Sequence, residues 1–262
     1  MRKSLSISHK IAFAAMLLAF NVITTRLLGL AQPAPIFSFN RLGVSSAITI
    51  FSSIFLGPLY GAVVGVAGDA IGWLILGQWT GTFNVFLSVY YALIGICPYF
   101  LVKLLGKHLD GKVSLALLFA TLSGLFIAMM CFLWLDQNLA SRIESWNVNL
   151  LGARIFVSCL SGALFLALLA FLIVFLARRK TDGVGTVYWS CLLVEVLAIF
   201  LKPFCFYLYC LAFLGTNIEV AWNVSYSMLV MLSCLFAFPD LIINIFFLRL
   251  LFWTSGKVVR KE

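Results

Sequence analysis

Long apolar runs, separated by short polar stretches, recur along the whole chain. Eight are readable, at about 11–30, 43–57, 59–76, 84–103, 113–135, 152–177, 187–213 and 223–250. At about 1.5 Å rise per residue, most are long enough to span a hydrocarbon core of about 30 Å. The second run is short for a full crossing, so it is expected to be tilted, or re-entrant and shielded by its neighbours. Only Gly57-Pro58 separates it from the third. The short alternating segments of a membrane β-barrel are absent. The pattern predicts an all-α membrane protein of about eight spans.

Composition fits that class. Of 262 residues, 63% are hydrophobic and 10% charged, which excludes an ordinary soluble domain. The net charge of +9 is informative through its positions. Thirteen of the 18 Lys and Arg fall in the two tails or in short segments between runs: Arg2, Lys3, Lys10; Lys103, Lys107, Lys112; Arg178, Arg179, Lys180; Arg249, Lys257, Arg260, Lys261. Threading the runs alternately puts both tails and all these clusters on one side, the cytoplasmic side by the positive-inside rule. This places the chain in the cell (inner, cytoplasmic) membrane, with anionic lipid headgroups facing the clusters. The outer loops would be 31–42, 77–83, 136–151 and 214–222. The first run is long and is interrupted late by Arg26, so it reads as a retained helix and not a cleaved signal peptide.

The seven cysteines (97, 131, 159, 191, 205, 210, 234) all lie inside apolar runs and are expected to act as small buried hydrophobes. With only His9 and His108 in the chain, no metal site is expected. No G-x-x-x-x-G-K-[ST], H-E-x-x-H or G-x-S-x-G is present. The chain therefore reads as a non-enzyme without a cofactor, unable to bind ATP in the P-loop manner.

The most informative segment is Gly57-Pro58-Leu59-Tyr60-Gly61-Ala62-Val63-Val64-Gly65-Val66-Ala67-Gly68-Asp69-Ala70-Ile71-Gly72. Glycines three or four apart gather near one helix face, where another helix backbone can approach closely. Asp69 interrupts this apolar helix at a cost that calls for a role. It lies about eleven residues into the span, roughly 16 Å along the axis. In the first run, Ala12, Ala15 and Ala19 form a second small-residue stripe, within which 15–19 is an A-x-x-x-A.

These residues resemble the substrate-binding S component of energy-coupling-factor (ECF) vitamin importers, most closely the folate type. The resemblance rests on the A-x-x-x-A first helix, the long outer loop, the short span and the G-P-x-x-G…G-D-x-x-G helix. The Gly77-Gln78-Trp79-Thr80-Gly81-Thr82-Phe83-Asn84 loop, Cys131-Phe132-Leu133-Trp134-Leu135 and Leu151-Gly152-Ala153-Arg154 extend it. It covers about residues 10–180, a six-helix S-component-like core. That implies a domain at 1–180 followed by an additional transmembrane hairpin and basic tail at 181–262. The resemblance also implies capture of folate or another small vitamin-like molecule from outside. Docking onto a membrane scaffold subunit would use Ala15 and Ala19, and two cytoplasmic ATPase subunits would drive inward release.

The candidate substrate-binding residues are Asp69, Arg154, Arg41, Trp79, Asn84, Tyr90 and Trp134. A carboxylate at Asp69 accepts two parallel N–H bonds, the pattern a pterin presents; its structural alternative is an ion pair with Arg26, Arg41 or Arg154. Arg154, at the start of a span, suits a substrate carboxylate in a bidentate pair. Arg41 follows the Pro33-Ala34-Pro35 loop and is a similar case. Trp79, Tyr90, Tyr91 and Trp134 offer faces for a flat heteroaromatic ring, or an interfacial belt. Asn84 supplies an outer-face hydrogen-bonding group. In the extra hairpin, Glu195 and Lys202 are two turns apart on one face, and Asp240 follows Pro239. The rival classes are a membrane-embedded enzyme acting on a lipid-linked substrate with Asp69 as base, and a structural membrane subunit.

Overall fold

A computed structural model of the chain describes residues 6–26, 44–76, 83–105, 111–135, 149–177, 184–216 and 226–259, together with 137, 140, 141 and 144. Among these residues no strand occurs, and eight helices account for nearly everything. They are α1 (Ile7–Arg26), α2 (Ser45–Leu56), α3 (Pro58–Leu76), α4 (Val85–Leu105), α5 (Gly111–Leu135), α6 (Leu150–Ala177), α7 (Val184–Tyr209) and α8 (Tyr226–Val259). A π-helical turn, Cys210–Leu214, closes α7 and ends on Gly215 in the left-handed region. Seven of the eight are long and apolar enough to cross a membrane; α2 is the short one. The eight predicted runs thus correspond one for one to the eight helices.

The ends differ for local reasons. α1 begins four residues early, at Ile7, because the Ser6 hydroxyl caps it: the His9 backbone N–H donates to Ser6 Oγ at 3.4 Å. α8 runs on to Val259, past the last apolar stretch and through Gly256. Between α2 and α3 the chain turns on Gly57, whose φ of +118° suits glycine and penalises a side chain. Pro58 then opens α3 at the first helical position, where its missing N–H is not needed.

Two compact units are present. The first holds α1–α4 and the part of α8 from Ile243 onward; the second holds α5–α7 and the part of α8 up to Ile242. In the first unit α3 packs against α1, α2 and α4, with α2 also against α1 and α4. The glycine face of α3 makes this possible. A Cβ at Gly61 would land on the Gly95 carbonyl oxygen of α4 and within 2.7 Å of Ser53 Cβ on α2. One at Gly65 would lie 2.6 Å from the Tyr91 carbonyl oxygen, and one at Gly68 would lie 2.7 Å from Asn21 Nδ2 of α1. Three neighbouring helices therefore reach the α3 backbone through three glycines, which is the close approach expected of a small-residue face. Phe13, Phe51, Phe55 and Phe252 fill the apolar side of this unit, with Phe51 and Phe55 stacked at 5.2 Å.

In the second unit α5 packs against α7 and α6. Phe126, Phe165 and Phe238 form its ring cluster, with Phe126 and Phe165 stacked at 4.5 Å. Pro203 interrupts the hydrogen-bond ladder of α7. Nearby, the Tyr226 hydroxyl donates to the Phe200 carbonyl oxygen at 3.2 Å.

The short helix α2 starts on a buried cap. Its N-cap residue, Val44, has no side-chain acceptor to offer. Asn244 of α8 takes that role: its Oδ1 accepts the Ala47 backbone N–H at 3.0 Å, and the asparagine is fully buried. Stranding a buried N–H costs about 1–3 kcal/mol, and no water is at hand in lipid to replace the lost bond. Asn244→Leu is expected to lower the detergent melting temperature, read by intrinsic tryptophan fluorescence, by several degrees. An unchanged melting temperature would show that α2 begins without help from α8.

The cysteines divide. Cys191, Cys205, Cys210 and Cys234 are buried and Cys97 is half-buried, but Cys131 and Cys159 are exposed on the sides of α5 and α6. The expectation that all seven are buried fails there because, in an apolar solvent, a thiol on an outward face costs little. All seven are free thiols.

Candidate functional site

Asp69 stands in the middle third of α3, half-buried, on the side that meets α4. Its Oδ2 accepts a hydrogen bond from the Ser88 hydroxyl of α4 at 2.9 Å. Ser88 is a partner the sequence reading did not name. One turn before it, Asn84 caps α4: its Oδ1 accepts the backbone N–H of Phe86 at 3.1 Å and of Leu87 at 3.3 Å. The cap fixes which way the side-chain amide faces, because the carbonyl end is committed to α4. The Nδ2 end is buried and has no hydrogen-bond partner among the described residues.

One turn beyond Asp69, Trp73 meets Phe83 edge-on, ring centroids 5.4 Å apart. This pair was also missing from the sequence reading; the spacing of four from Asp69 was its only visible signal. Tyr90 is 1% exposed, its ring edge-on to Tyr91 at 5.2 Å. It belongs to the interior of the first unit.

The second unit holds a separate arrangement. The Arg154 guanidinium lies over the Trp134 ring, 5.7 Å from its centroid. The Trp134 indole N–H donates to Ser158 Oγ, one turn after Arg154, at 3.2 Å. Arg154 Nε is buried without a partner among the described residues, while Trp134 is 44% exposed. Asn149 caps α6, accepting from the Leu151 and Gly152 N–H groups at 3.0 and 3.3 Å, and so fixes the helix turn that presents Arg154. A cation over an indole contributes about 0.5–2 kcal/mol according to its solvation. Trp134→Ala is therefore expected to loosen Arg154, and limited proteolysis at arginine should accelerate at this position. An unaltered digestion pattern would mean that the backbone alone holds the arginine.

Arg41 and Trp79 lie outside the described residues, as do the predicted lid around Pro33 and Pro35 and the whole of 77–82. Ala15 and Ala19 are exposed on α1, opposite the face that buries Ala14 and Leu17. Among the described residues no group of three or more His, Cys, Asp or Glu is arranged to hold a metal ion. Buried polar side chains in the C-terminal helices include Glu195, Asp240 and Asn244.

The fold defines a multi-pass helical membrane protein, with one polar arrangement in each unit. No family model, no curated protein and no solved structure matches the chain.

Proposed function

We propose that this protein is the substrate-capture subunit of an ECF-type importer. It binds a small vitamin-like molecule, with folate the leading candidate, from the outer side of the cytoplasmic membrane. It releases that molecule inward when coupled to a membrane scaffold subunit and two cytoplasmic ATPases. The observation that carries the reading is Asp69: a carboxylate in an apolar span, oriented by the Ser88 hydroxyl and set beside the capped start of α4. Keeping an ionisable group inside a membrane helix is costly, and such groups mark substrate or ion sites more often than packing sites. An ionised carboxylate is an acceptor only, with about four lone-pair sites, the complement of ligand N–H groups. Arg154, with a buried unpartnered Nε, offers a cation for a substrate carboxylate. Binding and alternating access involve no covalent chemistry, in line with a sequence that lacks nucleotide and hydrolase motifs. The exposed Ala15 and Ala19 of α1 are the proposed docking contacts for the scaffold.

The test is mass spectrometry of small molecules that co-purify with the detergent-solubilised protein, comparing wild type with Asp69→Asn and Arg154→Ala. A single vitamin-like species, near equimolar with wild type and lost from both variants, supports capture. Recovery of lipid alone, unchanged by either substitution, overturns the reading and leaves an enzyme of lipid-linked substrates or a structural subunit.

A further inference from the structure

The short helix α2 forms a hairpin with α3 about Gly57. A Cβ at Gly61 would lie 2.7 Å from Ser53 Cβ, and one at Gly65 would lie 3.3 Å from Thr49 Cγ2. The same step of four sets Ser45, in the first turn of α2, level with Asp69 of α3. At the hairpin the Gly57 N–H donates to the Ser53 carbonyl oxygen at 3.1 Å, and the Gly61 N–H donates to the Gly57 carbonyl oxygen at 3.1 Å. At its other end α2 takes its cap from Asn244. Three hydroxyl residues of α2, Thr49, Ser52 and Ser53, are fully buried, and they differ. Ser52 Oγ donates to the Thr49 carbonyl oxygen at 2.8 Å, the usual way for a helix to satisfy a hydroxyl. Thr49 Oγ1 and Ser53 Oγ have no hydrogen-bond partner among the described residues. Both residues meet the glycines of α3, which admit a close approach but carry no side chain to answer a hydroxyl. Enclosed hydroxyls of this kind are costly, and the cost disappears once water reaches them.

We infer that α2 is a gate over the glycine face of α3: it pivots on Gly57, is latched at its N-terminal end by Asn244, and is biased toward opening by Thr49 and Ser53. The pivot is a single residue. Gly57 reverses the chain at a φ of +118°, and Pro58 opens the next helix at once. The latch is a side chain of another helix, so it can let go without unwinding α2. In the packed position α2 has its first turn capped but two hydroxyls unsatisfied. Swinging its N-terminal end away from α3 breaks the bond from the Ala47 N–H to Asn244 Oδ1 and hydrates both hydroxyls. The two changes oppose each other, which keeps the packed and open positions close in free energy. Because the first turn of α2 is level with Asp69, the movement controls access to that side of α3. This role in access rests on the reading of Asp69 as a substrate carboxylate; the movement itself does not.

Hydrogen–deuterium exchange of the purified full-length protein in nanodiscs, read by mass spectrometry, measures how often α2 opens. Peptides covering Ser45–Leu56 are compared with peptides from α4 in wild type, in the double variant Thr49→Val with Ser53→Ala, and in Asn244→Leu. Thr49→Val keeps the branched shape and removes the hydroxyl; Ser53→Ala removes a single oxygen. The double variant is expected to slow exchange in α2 by about tenfold or more, because the packed position no longer encloses two unsatisfied groups. Asn244→Leu is expected to speed it by about tenfold, with α4 changing less in both cases. The double variant carries the test by itself should Asn244→Leu not purify. If α2 exchanges at the wild-type rate in the double variant, or if α4 changes as much as α2, the gate falls. The substrate reading is judged separately, from the small molecules that co-purify with wild type and with Asp69→Asn. A molecule retained by both, with α2 responding as expected, overturns that reading and leaves the movement of α2 standing. A molecule lost from Asp69→Asn, with α2 unresponsive, overturns the gate and leaves capture standing.

Discussion

Gly61→Val is expected to leave no monodisperse protein to purify. Three backbones converge at this residue. Its Cβ position is already occupied by the Gly95 carbonyl oxygen on one side and by the Ser53 Cα and Cβ, 2.8 and 2.7 Å away, on the other. Neither obstacle is the flexible end of a long side chain, so relief requires two helices to separate from α3. Overpacking a close-packed core usually costs about 1–3 kcal/mol, and more when backbone must move. In lipid the loss is harder to recover, because helix association rests on close van der Waals contact and not on hydrophobic burial. Gly95→Val should fail equally, since its Cβ would meet the Gly61 backbone and the Ala62 nitrogen. Gly124→Ala is the control: nothing lies within 4 Å of a Cβ there. Fluorescence-detected size-exclusion chromatography separates these outcomes. A symmetric peak for Gly61→Val, melting at the wild-type temperature, would show that the α2–α3–α4 contact tolerates an added side chain.

Asp69→Asn is expected to reduce ligand affinity by about a hundredfold or more while leaving the melting temperature unchanged or raised. The two effects have one cause. An amide at this position still accepts the Ser88 hydroxyl, so the α3–α4 contact survives, and replacing an ionisable group inside a membrane helix relieves a burial cost. The same amide puts an N–H₂ where a substrate N–H must donate, so a charge-assisted pair becomes a clash of donors. A residue retained for packing gives the opposite result: lower stability and unaltered binding. Measuring both quantities on one preparation therefore decides what the carboxylate is for.

Much of the architecture was legible before any coordinates. Eight apolar runs became eight helices, and the short second run became the short helix α2, because long uninterrupted hydropathy in lipid admits few other structures. The glycine ladder at 61, 65 and 68 was legible for a related reason. Small residues at helical spacing announce close approach whatever the partner proves to be. Asp69 stood out because a carboxylate is costly in such a segment. The angular placement of side chains was not legible. In a soluble helix a polar face marks the outside, but here lipid-facing and core-facing sides are both apolar, so sequence periodicity carries little orientation. That is why Cys131 and Cys159 read as buried and proved to be exposed, and why the burial of Tyr90 could not be read from its spacing.

The sequence by itself determined that this chain lives in a bilayer, how many apolar runs become helices among the described residues, which helix face is smooth and which carboxylate is out of place. Each of these follows from local composition and spacing acting against an apolar solvent. Only the tertiary structure decided which groups meet. Ser88 reaches Asp69 from the next helix, Trp73 finds Phe83, and Asn244 caps a helix whose first turn lies far upstream in the chain. In lipid a polar side chain takes whatever partner the packing brings within about 3 Å. That distance is set by the register between helices, which no single segment contains.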